Sequence, residues 1–138
     1  MPSDAVILAS IVEKETGVAS ERPQVAAVFI NRLRKGMRLQ SDPTVIFAVN
    51  EGKMPFERSL TRNDLNNESS YNTYRHGGLP PGPIASPGRA AIAAVLNPAD
   101  TNDLYFVADG SGGHAFARTL KEHNANVRRW RRLKKQDK

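Results

Sequence analysis

Residues 104–118 read LYFVADGSGGHAFAR and carry the clearest strand pattern in the chain. Two short runs rich in apolar and aromatic residues, 104–108 and 114–118, are joined by DGSGG, and a short glycine-containing connection between such runs is typical of a β-hairpin. The segments around the hairpin have helical spacing or loop composition. The sequence therefore predicts an α+β fold, with several helices and one small antiparallel sheet in a single compact domain that covers residues 1–138.

Helix signals lie on both sides of this hairpin. Thr61-x-x-Asp64 and Thr119-x-x-Glu122 have the spacing of capping boxes, and Gly36 is expected to stop the second helix. Residues 71–88 include GGLPPGP, and their dense prolines predict a stiff loop. The expected N-terminal residues of the successive helices are Ser3 or Asp4, Ser20, Asp42 followed by Pro43, Thr61, Ser86 followed by Pro87, and Thr119.

Composition limits the possible functions only loosely. The chain has 138 residues, 39% of them hydrophobic, and no cysteine, which excludes disulfides and thiolate chemistry. No apolar run reaches the ~18–20 residues that span a bilayer, and no basic signal-peptide start precedes the first helix. Because helical spacing begins almost at the first residue, we expect a domain excised from a longer protein.

The net charge of +6 lies entirely at the C-terminal end of the chain. Residues 128–138 hold seven lysines and arginines and a single acid, so residues 1–127 are neutral overall. We interpret this basic segment as a solvated helix end. The alternative is a surface for an anionic partner, such as a membrane, a nucleic acid or an acidic polymer.

The stretch LASIVEKET (8–16) places two glutamates at the end of an apolar helical run. At about 100° per residue, Glu15 lies in the middle of the stripe formed by Leu8, Ile11 and Val12. Glu13 lies on the opposite side of the helix and is expected on the solvent face. If the stripe packs inward, Glu15 points towards the interior or towards a cleft.

A carboxylate on an apolar helix face has three plausible roles. It can reach water at the helix end, it can pair with a cation such as Arg22, Arg32 or Arg38, or it can line a cleft where desolvation raises its pKa. A carboxyl group that keeps its proton near neutral pH is what a general acid needs. The spacing alone leaves pairing, end exposure and catalysis open for Glu15.

Three blocks of the sequence resemble the catalytic domain of the endolytic murein transglycosylases, the MltG/YceG-like family. The blocks are residues 8–47 (LASIVEKETGVASERPQVAAVFINRLRKGMRLQSDPTVIF), 71–88 (YNTYRHGGLPPGPIASPG) and 104–124 (LYFVADGSGGHAFARTLKEHN). They keep the order of the family. The joint presence of EKET, LQSDPT, YNTY and GLPPGPI makes the match specific.

The resemblance implies a lyase that cleaves the bond between N-acetylmuramic acid and N-acetylglucosamine within peptidoglycan strands and leaves 1,6-anhydro ends. The family's catalytic glutamate is the second of the EKE pair, which is Glu15 here, acting first as general acid and then as base. The resemblance also implies an inner-membrane anchor and a LysM-like subdomain before the catalytic domain, with activity at the periplasmic face. Cell-wall synthesis enzymes are further implied partners, and no cofactor is implied.

The candidate substrate-binding residues follow the same blocks. Polar and aromatic side chains can bind a sugar and its N-acetyl groups through directed hydrogen bonds and stacking. Three alternatives stay open: Asp42 as a helix cap, residues 71–74 as a loop held by its own side chains, and structural histidines, whose spacing does not favour a metal site. The candidates are Gln40, Ser41, Asp42, Tyr71, Asn72, Thr73, Tyr74, His114, Phe116, His123 and Asn124.

Two other classes of protein compete with an enzyme. A non-catalytic glycan-binding module would use Tyr71, Asn72 and the proline-rich loop, but it would not need a carboxylate on an apolar helix face. A nucleic-acid-binding domain is suggested by the pI near 10, but the neutral body and the lack of an interleaved basic and aromatic surface count against it. We expect peptidoglycan and not nucleic acid as the partner, with membrane contact only through the missing anchor.

Overall fold

The computed structural model describes residues 2–50 and 59–136. These residues form six helices, one 3₁₀ turn and two strands. In chain order the elements are α1 (Pro2–Glu15), the 3₁₀ turn (Ala19–Glu21), α2 (Arg22–Arg34), α3 (Asp42–Asn50), α4 (Arg62–Leu65), α5 (Arg89–Leu96), β1 (Tyr105–Ala108), β2 (His114–Ala117) and α6 (Leu120–Gln136).

The predicted hairpin is confirmed, and with it the α+β fold class. Strands β1 and β2 pair antiparallel with Phe106 opposite Phe116. The connecting turn needs glycine at Gly110, whose φ is +91° and whose added Cβ would lie 3.0 Å from Leu133 of α6. On the other side, Phe29 of α2 meets Phe106 edge to face, with ring centroids 5.8 Å apart. The sheet is therefore held between α6 and α2.

The hydrophobic core forms where α1, α2 and α5 pack together. The stripe predicted on α1 is confirmed, because Leu8, Ile11 and Val12 are all buried. Small residues on α5, Ala91 and Ala94, let that helix approach the other two closely. Burying each large apolar side chain contributes about 1.5–3 kcal/mol, so this packing fixes the direction in which α1 presents its last turn.

The ends of the first two helices differ partly from the sequence predictions. Gly36 stops α2 as expected: its φ is +72°, and the N–H groups of Gly36 and Met37 donate to the carbonyls of Leu33 and Arg32, which is the Schellman arrangement. The predicted caps of α1, Ser3 or Asp4, are wrong because α1 already includes Pro2. The predicted cap of α2, Ser20, is wrong because it lies inside the 3₁₀ turn.

The predicted starts of the later helices are confirmed in part. Thr61 and Asp64 form a complete capping box at α4, and the Thr119 hydroxyl accepts the N–H of Glu122 at 3.2 Å.

Asp42 is not a cap, since it is the first residue of α3. The helix predicted from Ser86 begins at Arg89 instead, with Gly88 in the capping position. Residues 50–70, a polar part of the sequence, include residues 51–58, which lie outside the described part of the chain.

The proline-rich loop is tied to α1 by two side chains of that helix. The Ser10 hydroxyl accepts the backbone N–H of Ile84 at 3.0 Å, and the Glu13 carboxylate accepts the N–H of Gly88 at 2.7 Å. The expectation of a solvent-facing Glu13 is therefore wrong: its side chain is only 29% exposed and also lies 4.0 Å from Arg22. The reason is tertiary, because the loop and the start of α5 cover that side of α1.

Candidate active site

A cleft of about 210 Å³ opens beside the last turn of α1. Its walls come from α1, α2, the segment before α3, the loop after residue 71, β1 and α6. Because α1 and α2 pack together in the core, residues of both helices line the same cleft. The hairpin and α6 form its opposite side. The lining residues are Glu15, Val28, Phe29, Arg32, Leu39, Gln40, Asp42, Tyr74, Tyr105, Phe106 and His123.

Glu15 is the carboxyl group that the fold presents to this cleft. It is partly buried, and its Oε2 accepts a hydrogen bond from the Ser41 hydroxyl at 2.9 Å. Burial raises its pKa to about 7, with a smaller upward contribution from the charge of Asp42 and an opposing contribution from the Ser41 hydrogen bond. No described arginine forms an ion pair with Glu15. The pairing alternative is therefore not what the structure contains.

A chain of hydroxyl groups holds Ser41 in place under Glu15. The Ser41 N–H donates to the Thr73 hydroxyl at 2.9 Å, the Thr73 and Thr44 hydroxyls lie 2.8 Å apart, and the Thr44 hydroxyl donates to the Ser41 carbonyl at 2.7 Å. All three residues are buried. The Ser41 hydroxyl is thereby fixed in position as the donor to Glu15.

Replacing Ser41 with alanine should raise the pKa of Glu15 further. The lost hydrogen bond favours the charged carboxylate, so its removal favours the protonated form. In the pH titration profile of the Glu15 carboxyl group, followed by NMR, we expect the midpoint to move upward by about one pH unit, which corresponds to about 1.4 kcal/mol. The matched control is Ser20→Ala, at an exposed serine outside the cleft, and it should leave the profile unchanged. An unshifted profile in Ser41→Ala would contradict this role.

Asp42 and Tyr74 form a second polar pair in the cleft. The Tyr74 hydroxyl donates to Asp42 Oδ1 at 2.6 Å. Burial, and then the hydrogen bond and charge of Asp42, raise the pKa of Tyr74 above its usual range, so the phenol keeps its proton. The Asp42 carboxylate is thus held by a neighbouring side chain, and its charge is one of the causes that raise the pKa of Glu15.

A stack of three side chains forms the opposite wall. The Arg32 guanidinium lies 5.0 Å from the centre of the Tyr105 ring, and Tyr105 stacks on His123 at 4.9 Å with 20° between the planes. Burial, with help from the Arg32 charge, lowers the pKa of His123. This shift favours the neutral imidazole, and its buried Nδ1 has no hydrogen-bond partner among the described residues.

Sequence reasoning did not name Arg32 or Tyr105 as site residues. Arg32 follows Val28 and Phe29 at spacings of four and three, so it lies on the inner face of α2 just as Glu15 lies on the inner face of α1. The argument that singled out Glu15 could therefore have found Arg32. Tyr105 carried no comparable signal, because a strand aromatic is more often part of a core.

Five of the predicted residues line the cleft: Glu15, Gln40, Asp42, Tyr74 and His123. Ser41 and Thr73 lie behind them and act through hydrogen bonds. Asn72 is fully buried, and Tyr71 packs on Phe47 with ring centroids 4.9 Å apart. These placements fit the alternative of a loop held by its own side chains, and a sugar-binding role for the buried residues stays a prediction.

The remaining predicted residues lie away from Glu15. His114 Nδ1 is 2.7 Å from Glu21 Oε1, a contact that joins the hairpin to the 3₁₀ turn. Phe116 packs on Phe106 inside the sheet. Asn124 is exposed on α6. None of these three lines the cleft, so any contact with substrate would have to occur along an extended groove.

The basic segment is the exposed end of α6. Residues 128–136 are helical, and Arg128, Arg131 and Arg132 line a separate shallow concavity of about 300 Å³. This fits a solvated helix end. In the part of the chain that the structure describes, no helix is long and apolar enough to cross a membrane, and no His, Asp and Glu side chains cluster as metal ligands would.

Together, the fold and the cleft define a small α+β domain with a partly buried acidic side chain, Glu15, in its cleft. The chain matches the YceG-like family over residues 1–129 and belongs to that family. The structure of a YceG-like protein from Listeria monocytogenes superposes with a TM-score of 0.77 at 43% sequence identity, covering 86% of this chain and 37% of that one.

Two curated relatives carry a functional name. The endolytic murein transglycosylase of Bacillus subtilis is 46% identical over 117 residues, which cover 85% of this chain and 31% of that protein. The endolytic murein transglycosylase of Streptococcus pneumoniae strain R6 is 38% identical over 129 residues, covering 91% of this chain and 23% of that protein. The chain thus spans less than a third of the length of these relatives.

Proposed function

We propose that this chain is the catalytic part of a peptidoglycan lytic transglycosylase. It cleaves the bond between N-acetylmuramic acid and N-acetylglucosamine inside glycan strands and leaves 1,6-anhydro ends. The observation that carries the proposal is Glu15, a carboxyl group with a pKa of about 7 at the edge of a cleft lined by polar and aromatic side chains. The names of its relatives support the same substrate.

In the first step Glu15 acts as a general acid. Its protonated carboxyl group gives its proton to the glycosidic oxygen, the C1–O bond breaks, and N-acetylglucosamine leaves as the free 4-hydroxyl sugar. Positive charge develops at C1 and the ring oxygen of the muramyl residue. The Asp42 carboxylate, held by Tyr74 in the same cleft, contributes a fixed negative charge that favours this transition state.

In the second step the Glu15 carboxylate acts as a base. It takes the proton from the C6 hydroxyl of the same muramyl residue, and that oxygen bonds to C1 and closes the 1,6-anhydro ring. The proton returns to Glu15, so the enzyme ends the cycle in its starting state. Because the nucleophile is part of the substrate, no second carboxylate is needed to activate water, and proximity supplies much of the rate.

The test is mass spectrometry of purified murein sacculi incubated with the 138-residue chain. We expect muropeptides that end in 1,6-anhydro-N-acetylmuramic acid, arising from within strands. Reducing ends instead of anhydro ends would indicate a hydrolase that uses Asp42 as a second carboxylate, and would overturn the lyase. Binding to sacculi with no new ends would indicate the glycan-binding module.

The site of action follows from the substrate. We place the reaction at the periplasmic face of the bacterial inner membrane, where new glycan strands are made, with the anchor in a part of the protein outside these 138 residues. Partners among cell-wall synthesis enzymes are part of the same proposal. Fractionation of cells that carry the whole protein should recover it with the membrane.

A further inference from the structure

Arg32 is a buried cation that the two catalytic steps do not use. It is 7% exposed, and its Nε donates to the Leu104 carbonyl at 2.7 Å while Nη1 donates to the Arg38 carbonyl at 2.8 Å. Nη2 has no acceptor among the described residues, and no described carboxylate pairs with the guanidinium. Because Arg32 lines the cleft, Nη2 is the donor that is left for a ligand.

Several neighbouring groups hold the Arg32 guanidinium in place. Burying a charge without a counter-charge is costly, and the protein nevertheless holds this one with two backbone carbonyls and the Tyr105 ring. Gln40, whose Oε1 lies 3.5 Å from Nη1, has a φ of +51°, the one left-handed non-glycine residue in the described chain. Such backbone strain is concentrated at ligand sites. Both observations point to a ligand with a strong acceptor.

We propose that Arg32, with Gln40 beside it, recognises the 3-O-lactyl group of the muramyl residue and so sets the specificity for murein. The inference rests on the proposed function, because it takes the glycan strand as the ligand. The two sugars of the strand share their hydroxyl and acetamido groups. Only the muramyl residue carries a lactyl group, which is a carboxylate in peptide-free strands and an amide carbonyl in peptide-bearing ones. A planar guanidinium is well suited to either oxygen acceptor.

The test measures binding rather than turnover. Affinities are determined with the Glu15→Gln chain for peptide-free murein strands, peptide-bearing murein strands and chitin oligosaccharides of equal length, which lack the lactyl group. Adding Arg32→Gln should weaken binding of peptide-free strands at least tenfold, or about 1.4 kcal/mol. Peptide-bearing strands should lose less, because their acceptor is uncharged, and chitin affinity should change less than twofold.

Arg34→Gln is the matched control, since Arg34 is an exposed arginine of the same helix outside the cleft, and it should leave all three affinities unchanged. An equal loss for murein and chitin would overturn the inference and assign Arg32 to the shared acetamido groups. If Arg32→Gln does not fold, the test is the affinity of the Glu15→Gln chain for the two kinds of strand. Equal affinity for peptide-free murein strands and chitin oligosaccharides also overturns the inference. Cleavage of murein by the wild-type chain is assayed separately. Failure of the proposed lyase activity would appear in that assay, whereas failure of the proposed lactyl contact would appear in the affinities.

Discussion

Glu15→Gln should reduce the release of anhydro-muropeptides at pH 7 by at least a thousandfold. Glutamine keeps the size of the side chain and can still accept the Ser41 hydrogen bond, but it can neither donate an acidic proton nor take one back. General acid and base catalysis each contribute about 10²–10⁴-fold, and here one group performs both. The rate is measured from anhydro-ended products by mass spectrometry.

The matched control is Glu13→Gln, the same chemical change two residues earlier on α1. Glu13 holds Gly88 and does not line the cleft, so we expect its variant to stay within a few-fold of wild type. Glu15→Gln should also unfold at no lower temperature than wild type at pH 8. Because burial raises the pKa of Glu15 in the folded chain, its charge is destabilising above that pKa, and the uncharged variant lacks this cost. Normal cleavage by a folded Glu15→Gln chain would refute the assignment.

Asn72→Ala should destabilise the chain by about 2–4 kcal/mol. The Asn72 amide group donates to the carbonyls of Leu65 and Asn67 at 2.9 and 2.8 Å, and its Oδ1 accepts the N–H of Tyr74 at 3.0 Å. Alanine leaves these backbone groups without partners, and each unsatisfied buried group costs about 1–3 kcal/mol, reduced where water can enter. Urea unfolding measures the difference.

The control for this prediction is Asn102→Ala, at an exposed asparagine, which should change stability by less than about 0.5 kcal/mol. The same pair of variants tests the sugar-binding prediction for Asn72. If Asn72→Ala keeps wild-type stability but loses affinity for murein strands, the role of Asn72 is to bind the sugar. If it loses stability and the remaining folded fraction binds normally, its role is to hold the loop that carries Tyr74.

The sequence was sufficient for features that depend on neighbours along the chain. The β-hairpin, the capping box of α4 and the glycine stop of α2 each need only a few consecutive residues, and all three are confirmed. Glu15 also belongs to this group. Helical periodicity placed it on the buried stripe of α1, and the structure brings that stripe against the core with Glu15 at the cleft.

Features that depend on distant contacts could not be read from the sequence. Glu13 looked solvent-facing because its helix was considered alone, while Gly88, 75 residues later, covers it. Asp42 looked like a cap, but its carboxylate is bound by Tyr74 across the cleft. Tyr105 carried no functional signal in the sequence, and only the packing of β1 shows that it lines the cleft beside Arg32 and His123.

The most direct measurement of the central claim is a ¹³C NMR titration of the glutamate side-chain carboxyl groups in wild type and in Glu15→Gln. We predict one carboxyl resonance that titrates near pH 7 in the wild-type chain and is absent from the variant. Titration of every glutamate in the ordinary range near pH 4–5, or a high-pH titration that persists in Glu15→Gln, would contradict the claim that this side chain holds the catalytic proton.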